Sequence, residues 1–148
     1  MSHENVELVT RLQVAPDVDI AGLFRSDDAW SALTDAIGGL FHPDCETVAP
    51  GVPGTERAHV GLDGLRTAWL EWLEPWLTYR TEVTQALDAG DRVLLLTHDY
   101  GRQQGATQEV KVEGSAVWTI RDGKVARAEF FTHRADAFQA AGLSGQRS

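Results

Sequence analysis

Apolar residues recur at helical spacing through the first half of the chain. Ser2 is a typical N-cap for an amphipathic segment that ends before Pro16. Asp19 can cap a short second segment, and Ser26 or Asp27 can cap a third. One apolar stripe on the third segment comprises Trp30, Leu33, Ile37 and Leu40. Three helices are therefore expected ahead of the first strand.

A fourth helix is predicted by the stretch GLDGLRTAWLEWLEP. The preceding stretch FHPDCETVAPGVPG, rich in proline and glycine, predicts a short strand at 45–48 followed by a loop. Pro75 ends the fourth helix, because proline disfavours a helical conformation in the residue before it. The apolar face of this helix is predicted to comprise Leu62, Leu65, Trp69, Trp72 or Leu73, and Trp76.

The second half of the chain changes to the period of strands. Four strands are predicted, at 78–87, 92–101, 108–120 and 125–133, and a short helical turn follows them. The connections include the turn DAGD and the Asp-Gly hairpin turn RDGK. Helices followed by a strand meander predict an α+β fold, with helices packed on one face of a largely antiparallel sheet.

Composition limits the number of domains and the classes of partner. The 148 residues fit a single domain spanning 1–148. The formal net charge of -9 disfavours nucleic acid or an anionic membrane as a partner, because both require clustered lysine and arginine. No apolar run approaches the ~20 residues of a membrane span. The polar, amphipathic start of the sequence predicts no secretory signal, and the single cysteine, Cys45, is what we expect of a protein in the reducing cytoplasm.

The sequence contains no motif for a metal or a cofactor. Its five histidines are scattered, without an HExxH motif or a pair at i and i+4, so no metal site is predicted. Neither a glycine-rich phosphate loop nor a Gly-x-Ser-x-Gly elbow occurs. We therefore expect no cofactor.

Six sequence stretches, spread over nearly the whole chain, together match the pattern of a known protein family. They are MSHENVELV, LFHPDCET, VGLDGLRTAWLEWL, DAGDRVLLL, VWTIRDGKVARAEFF and HRADAFQAAGL. Together they resemble the SnoaL-like branch of the nuclear-transport-factor-two-like superfamily. The resemblance implies a cystatin-like α+β roll, in which a strongly curved sheet wraps around helices and leaves a conical pocket, often as a homodimer packed through the sheet. Residues 23–39 are longer than usual for the family, which implies an extra helical turn or a rearranged helix over the cavity mouth.

Two chemistries of this superfamily lack most of their residues here. Ketosteroid isomerases place an aspartate before a proline and a second acid on a later strand, and the matching residues are Ala49 and Ala116. Limonene-epoxide hydrolases use an Asp–Arg–Asp set. By resemblance Asp99 is retained from this set, while Thr97 and Phe130 replace the other two members.

A third chemistry depends on which side of the last strand faces the pocket. SnoaL-type polyketide cyclases use an acid on this strand, and Glu129 is the only acid there. The family register turns Phe130 inward and Glu129 outward. A β-bulge would reverse this facing, because one extra residue turns a strand over, so the cyclase interpretation stays open.

The stretch LLLTHDYG raises the same question of facing. Neighbours on a strand point to opposite faces, so His98 and Asp99 cannot both face the pocket. The family register turns Asp99 and Thr97 inward and leaves His98 outside. An ionised carboxylate on an apolar wall is costly, and carboxylates in such places serve as acids or bases. The structural alternative is that Asp99 bonds a buried backbone group or an arginine or tyrosine from the helix side.

Two classes of function follow from this pocket. The first is a small-molecule-binding protein that takes a compact, mostly apolar ligand, with lyase, isomerase, cyclase or hydrolase chemistry centred on Asp99 as an option. Its candidate ligand-binding residues are Trp69, Trp72, Trp76, Thr97, Trp118, Phe130 and Thr132, although core packing is the alternative for the tryptophans. The second is a noncatalytic module for ligand sensing or dimerisation. A pocket filled by tryptophan rings favours the second class, and an open cavity with Asp99 beside another polar group favours the first.

Overall fold

A computed structural model describes residues 2–49 and 58–143. Within these ranges, five helices span Ser2–Leu12 (α1), Ile20–Arg25 (α2), Asp27–Ile37 (α3), Gly61–Leu73 (α4) and Arg134–Ala140 (α5). The same ranges contain six strands, Phe41–Val48 (β1), His59–Val60 (β2), Trp76–Ala89 (β3), Arg92–Gln103 (β4), Val110–Arg121 (β5) and Lys124–Phe131 (β6). A 3-10 turn, Gly38–Leu40, joins α3 to β1.

The strands form one curved sheet in the order β2-β1-β6-β5-β4-β3. Only the β1–β6 pair is parallel among the described strands, and the other neighbours are antiparallel. The predicted α+β class with a largely antiparallel sheet is confirmed. The short strand β2 was not predicted, and β1 begins four residues before the predicted strand at 45–48.

Side-chain caps fix the helices that lie over the sheet. Asp19 caps α2 and Ser26 caps α3, as the sequence predicts. Asp19 also accepts the backbone N–H of Tyr79 at 3.0 Å, which ties the start of α2 to β3. Arg25, the last residue of α2, donates to the carbonyl oxygens of Leu73 and Trp76, both at 2.7 Å. These bonds hold α2 at the junction of α4 and β3.

Both faces of the sheet are covered by helices. Helices α1 to α4 pack on the concave face around the main core, which includes Val93 and Leu95. Phe138 of α5 packs on the opposite face against Leu94 and Leu96. The prediction that the helices pack on one face is therefore wrong for α5, because the apolar run 93–96 is buried on both sides. No helix in the described part of the chain is both long and apolar enough to span a bilayer.

Candidate functional site

The concave face of the sheet and the helices over it enclose a cavity of about 280 Å³. This volume is close to the lower end of small-molecule pockets, ~300 Å³. Most of the lining is apolar, and its aromatic members are Phe24, Trp30, Phe41, Trp69, Trp72, Tyr79, Trp118, Phe130 and Phe131. The tryptophan rings therefore line the cavity without filling it.

The alternation of β4 decides which of two neighbouring ionisable residues faces the cavity. Leu95, Thr97 and Asp99 line it, and His98 lies on the outer face between them. His98 and Asp99 therefore do not form a pair in the cavity.

The last strand shows the same facing as the family register. Phe130 lines the cavity and lies opposite Ala116 on β5. Glu129 lies opposite Val117 on the outer face and within 3.7 Å of Arg127. The acid that a cyclase of this family would use therefore points away from the cavity.

The Asp99 carboxylate is the centre of a buried polar cluster with Tyr79, Thr81 and Thr97, which we call the Asp99 cluster. Its Oδ1 accepts the hydroxyl hydrogens of Thr81 and, at 2.8 Å, of Thr97. Its Oδ2 accepts the hydroxyl hydrogen of Tyr79 at 2.7 Å. Asp99 is only 8% exposed, and Tyr79 only 1%. A carboxylate has about four acceptor positions, so the described residues leave one unused, on Oδ2.

A glycine on the adjacent strand makes room for this cluster. Gly114 of β5 lies opposite Thr97. A Cβ atom at Gly114 would collide with Oγ1 of Thr97 and lie 2.9 Å from Oδ2 of Asp99. The missing side chain at this position therefore allows both polar groups to lie against the backbone of β5.

The buried phenol of Tyr79 stays protonated over a wide pH range. Burial raises the pKa of Tyr79 above its ordinary value of 10.0, and the negative charge of Asp99 raises it further. The phenol therefore keeps the hydrogen that it donates to Asp99.

We expect the folded protein to lose stability above pH ~10 because of Tyr79. The unfolded chain releases the phenolic proton near that pH while the folded chain keeps it, so the free energy of unfolding falls by about 1.4 kcal/mol per pH unit. Urea denaturation between pH 9 and 11 measures this slope. Tyr79→Phe should flatten it, whereas Tyr100→Phe, at the other tyrosine, should not. Equal slopes in both variants would contradict the assignment.

Two members of the Asp99 cluster, Tyr79 and Thr81, are absent from the sequence-based set of site residues. The tyrosine that bonds Asp99 comes from β3, not from a helix. Alternation along the predicted strand 78–87 already places Tyr79 and Thr81 on one face. That signal is useful only when the pairing of β3 with β4 is known.

Trp76 does not line the cavity, and its predicted place on the apolar face of the fourth helix is wrong; contact of Trp76 with a ligand stays a prediction. Helix α4 ends at Leu73, and Trp76 is the first residue of β3. Pro75 ends the helix and the chain becomes extended, so Trp76 leaves the face that carries Trp69. Its ring lies over Gly101 of β4, where a Cβ atom would collide with it.

The other predicted site residues are brought together around the cavity. Trp69, Trp72, Trp118, Phe130 and Thr132 all line it, together with Thr97 and Asp99. The Trp69 ring is 5.4 Å from the Phe130 ring and 6.2 Å from the Tyr79 ring. Thr132 lies at the exposed edge, just beyond the end of β6. Ligand contact by these residues stays a prediction.

Residues 23–39 supply part of the cavity wall. Phe24 of α2 and Trp30, Leu33, Thr34 and Ile37 of α3 line the cavity. Arg66 of α4 holds this wall, since its Nε donates to the carbonyl oxygen of Phe24 at 2.8 Å. The segment therefore forms helices over the cavity, as expected.

The positions that match the two isomerase acids face the cavity but carry no acid. Ala49, directly after β1, and Ala116 of β5 both line it. Pro50 and most of the predicted loop after β1 lie outside the described residues. The described ranges contain no group of three or more His, Cys, Asp and Glu side chains that could hold a metal ion.

Comparison with known proteins identifies the family. The family model of the SnoaL-like domain matches residues 24–128. The chain belongs to the SnoaL-like family. No curated protein matches it.

Several solved structures have a similar fold. TerC and a protein from Jannaschia sp. CCS1 are less than 25% identical to this SnoaL-like chain, so their similarity shows the fold alone. TerC, co-crystallised with polyporic acid, is 20% identical with a TM-score of 0.63, over 94% of this chain and 98% of TerC. A proposed SnoaL-like polyketide cyclase from Jannaschia sp. CCS1 is 21% identical with a TM-score of 0.62, over 98% of this chain and 94% of the cyclase. A proposed polyketide cyclase from Sinorhizobium meliloti is 28% identical with a TM-score of 0.51, over 70% of this chain and 86% of the S. meliloti protein.

Proposed function

We propose that this SnoaL-like chain binds a compact, mostly apolar small molecule in the cavity, with Asp99 holding its polar group. One observation carries this proposal. A buried carboxylate, with one acceptor position that no described residue uses, faces a mostly apolar, aromatic cavity of about 280 Å³. Ligand pockets are typically apolar with a few placed polar groups, and this cavity has that composition.

Any reaction at this site would use Oδ2 of Asp99 as the proton acceptor. Oδ1 already accepts two hydroxyl hydrogens, whereas Tyr79 alone among the described residues donates to Oδ2. Isomerase, hydrolase and cyclase chemistries each lack family residues on the cavity side. Binding is therefore better supported than any one of these reactions.

The alternative function is that of a noncatalytic module for ligand sensing or dimerisation. The open cavity favours ligand binding, because dimerisation alone would not require a cavity. A sensing role would use the same cavity without chemistry. The homodimer and the cytoplasmic location stay predictions, and native mass spectrometry tests the first. The surface for such a dimer is the part of the outer face that α5 leaves uncovered.

A cavity-filling variant tests the binding proposal. Ala116 is 4% exposed and lines the cavity, so Ala116→Leu extends a side chain into the space. We expect 3-phenyl-1-propanol, a compact aromatic alcohol, to change the tryptophan fluorescence saturably in the unmodified chain and about tenfold more weakly in Ala116→Leu. Ala135→Leu, at an exposed position of α5, is the matched control and should bind normally. If Ala116→Leu and Ala135→Leu bind the probe equally well, the probe binds outside the cavity and the binding proposal is contradicted.

A further inference from the structure

The charge of Asp99 is not offset by a cationic side chain in the described part of the protein. Its three hydrogen-bond partners all donate hydroxyl hydrogens, which is the pattern of an ionised carboxylate that only accepts. The cavity lining, as far as the structure describes it, contains no lysine, arginine or histidine, and its one carboxylate besides Asp99, that of Glu113, is exposed and lies 3.9 Å from Arg134. Arg80 pairs with Glu109 on the outer face instead. Buried charges in proteins are normally paired or bound to a metal. A positive charge is therefore expected beside Asp99, and no described side chain supplies it.

A metal ion is a poor candidate for that missing charge. Metal sites combine several carboxylate, imidazole or thiolate ligands. Asp99 is instead surrounded by three hydroxyl groups that direct their hydrogens toward it, and the described residues contain no cluster of metal-binding side chains. An organic cation is a better match for the buried carboxylate of Asp99 in a mostly apolar cavity.

Aromatic rings beside the carboxylate suit an organic cation. The Tyr79 ring lies 6.2 Å from the rings of both Trp69 and Trp72. Both tryptophans are half-buried and line the cavity. The faces of tryptophan and tyrosine rings attract ammonium groups within ~6 Å, most strongly where water is excluded.

Building on the proposed ligand-binding function, we propose that the polar group of the ligand is a protonated amine. An ammonium N–H bonds the unused position on Oδ2 of Asp99, and the apolar part of the molecule lies among the aromatic rings. The ligand class is therefore lipophilic amines, and carboxylates of the same shape are excluded by repulsion from Asp99.

Three probes of matched shape test this proposal on the unmodified protein at pH 7. They are 3-phenylpropylamine, 3-phenyl-1-propanol and 3-phenylpropanoate, which place a cation, a neutral donor and an anion at the same position. We expect the amine to bind about tenfold more tightly than the alcohol, because its positive charge adds Coulombic attraction to the hydrogen bond with Asp99, and the acid to bind weakest. Titration calorimetry measures the three constants.

The outcomes separate this proposal from the proposed function. An alcohol that binds as tightly as the amine overturns the amine proposal and leaves the binding cavity intact. Failure of all three probes to bind overturns both.

Two variants test whether Asp99 is the source of the preference. Asp99→Asn keeps the shape and removes the charge, so the amine should lose its advantage over the alcohol. Glu129→Gln removes one charge from the outer face and should keep the tenfold preference. A preference that survives Asp99→Asn, or one that Glu129→Gln abolishes, would contradict the role of Asp99.

Discussion

Gly114→Ala is expected to lower the free energy of unfolding by about 2–4 kcal/mol and to weaken binding of any ligand held by Asp99. The added methyl group would collide with Oγ1 of Thr97 and press on Oδ2 of Asp99. Thr97 must then rotate, which removes one of the hydrogen bonds to Asp99. Urea denaturation measures the loss of stability, and titration with 3-phenylpropylamine measures the loss of binding.

A double-mutant cycle distinguishes this collision from a general effect on β5. Thr97→Ala removes the closest atom, so Thr97→Ala combined with Gly114→Ala should cost less than the sum of the single changes. Thr97→Ser keeps Oγ, and its combination with Gly114→Ala should show no such relief. Strict additivity in both pairs would show that Gly114 is not required by the Asp99 cluster.

The pairing of β3 with β4 explains why half of this cluster escapes prediction. From the hairpin turn, Ala89 pairs with Arg92 and Gln85 with Leu96. Continuing this register without interruption would place Glu82 opposite Asp99, with two like charges on one face. The structure instead has a bulge between Val83 and Gln85, which brings Thr81 opposite Asp99 and turns Tyr79 into the cavity. A single extra residue thus creates the site, and no local pattern marks its position.

Features that depend on local periodicity or on known family register are predicted more successfully. The facing of Asp99 and Phe130 follows from strand alternation once the register is given. The caps at Asp19 and Ser26 follow from side-chain chemistry alone. Helical spacing continued past Pro75 places Trp76 on the face of α4, but the chain already forms strand β3 at that residue. The cavity itself depends on long-range packing of α3 over the sheet, which periodicity cannot supply.

Asp99→Ala is expected to destabilise the protein by about 3–5 kcal/mol, the largest effect of a single change in the Asp99 cluster. Three hydroxyl groups lose their acceptor at once, and each buried polar group left without a partner costs ~1–3 kcal/mol. Tyr79, which is 1% exposed, has no access to water, whereas the threonine hydroxyls can rotate toward the backbone. The free energy of unfolding in urea measures the loss.

Asp99→Asn separates the loss of hydrogen bonds from the loss of charge. The amide oxygen can still accept from Thr81 and Thr97, and the amide nitrogen can donate to the phenol oxygen of Tyr79, although the phenolic hydrogen loses its acceptor at a cost of ~1–3 kcal/mol. The substitution also removes a buried charge without a cationic partner, which offsets part of this cost, so the expected net cost is only about 1 kcal/mol or less. A cost for Asp99→Asn as large as that for Asp99→Ala would show that the charge itself stabilises the fold. Asp99 would then be a structural residue whose charge the hydroxyls already satisfy, and the cavity would have no need of a cationic ligand.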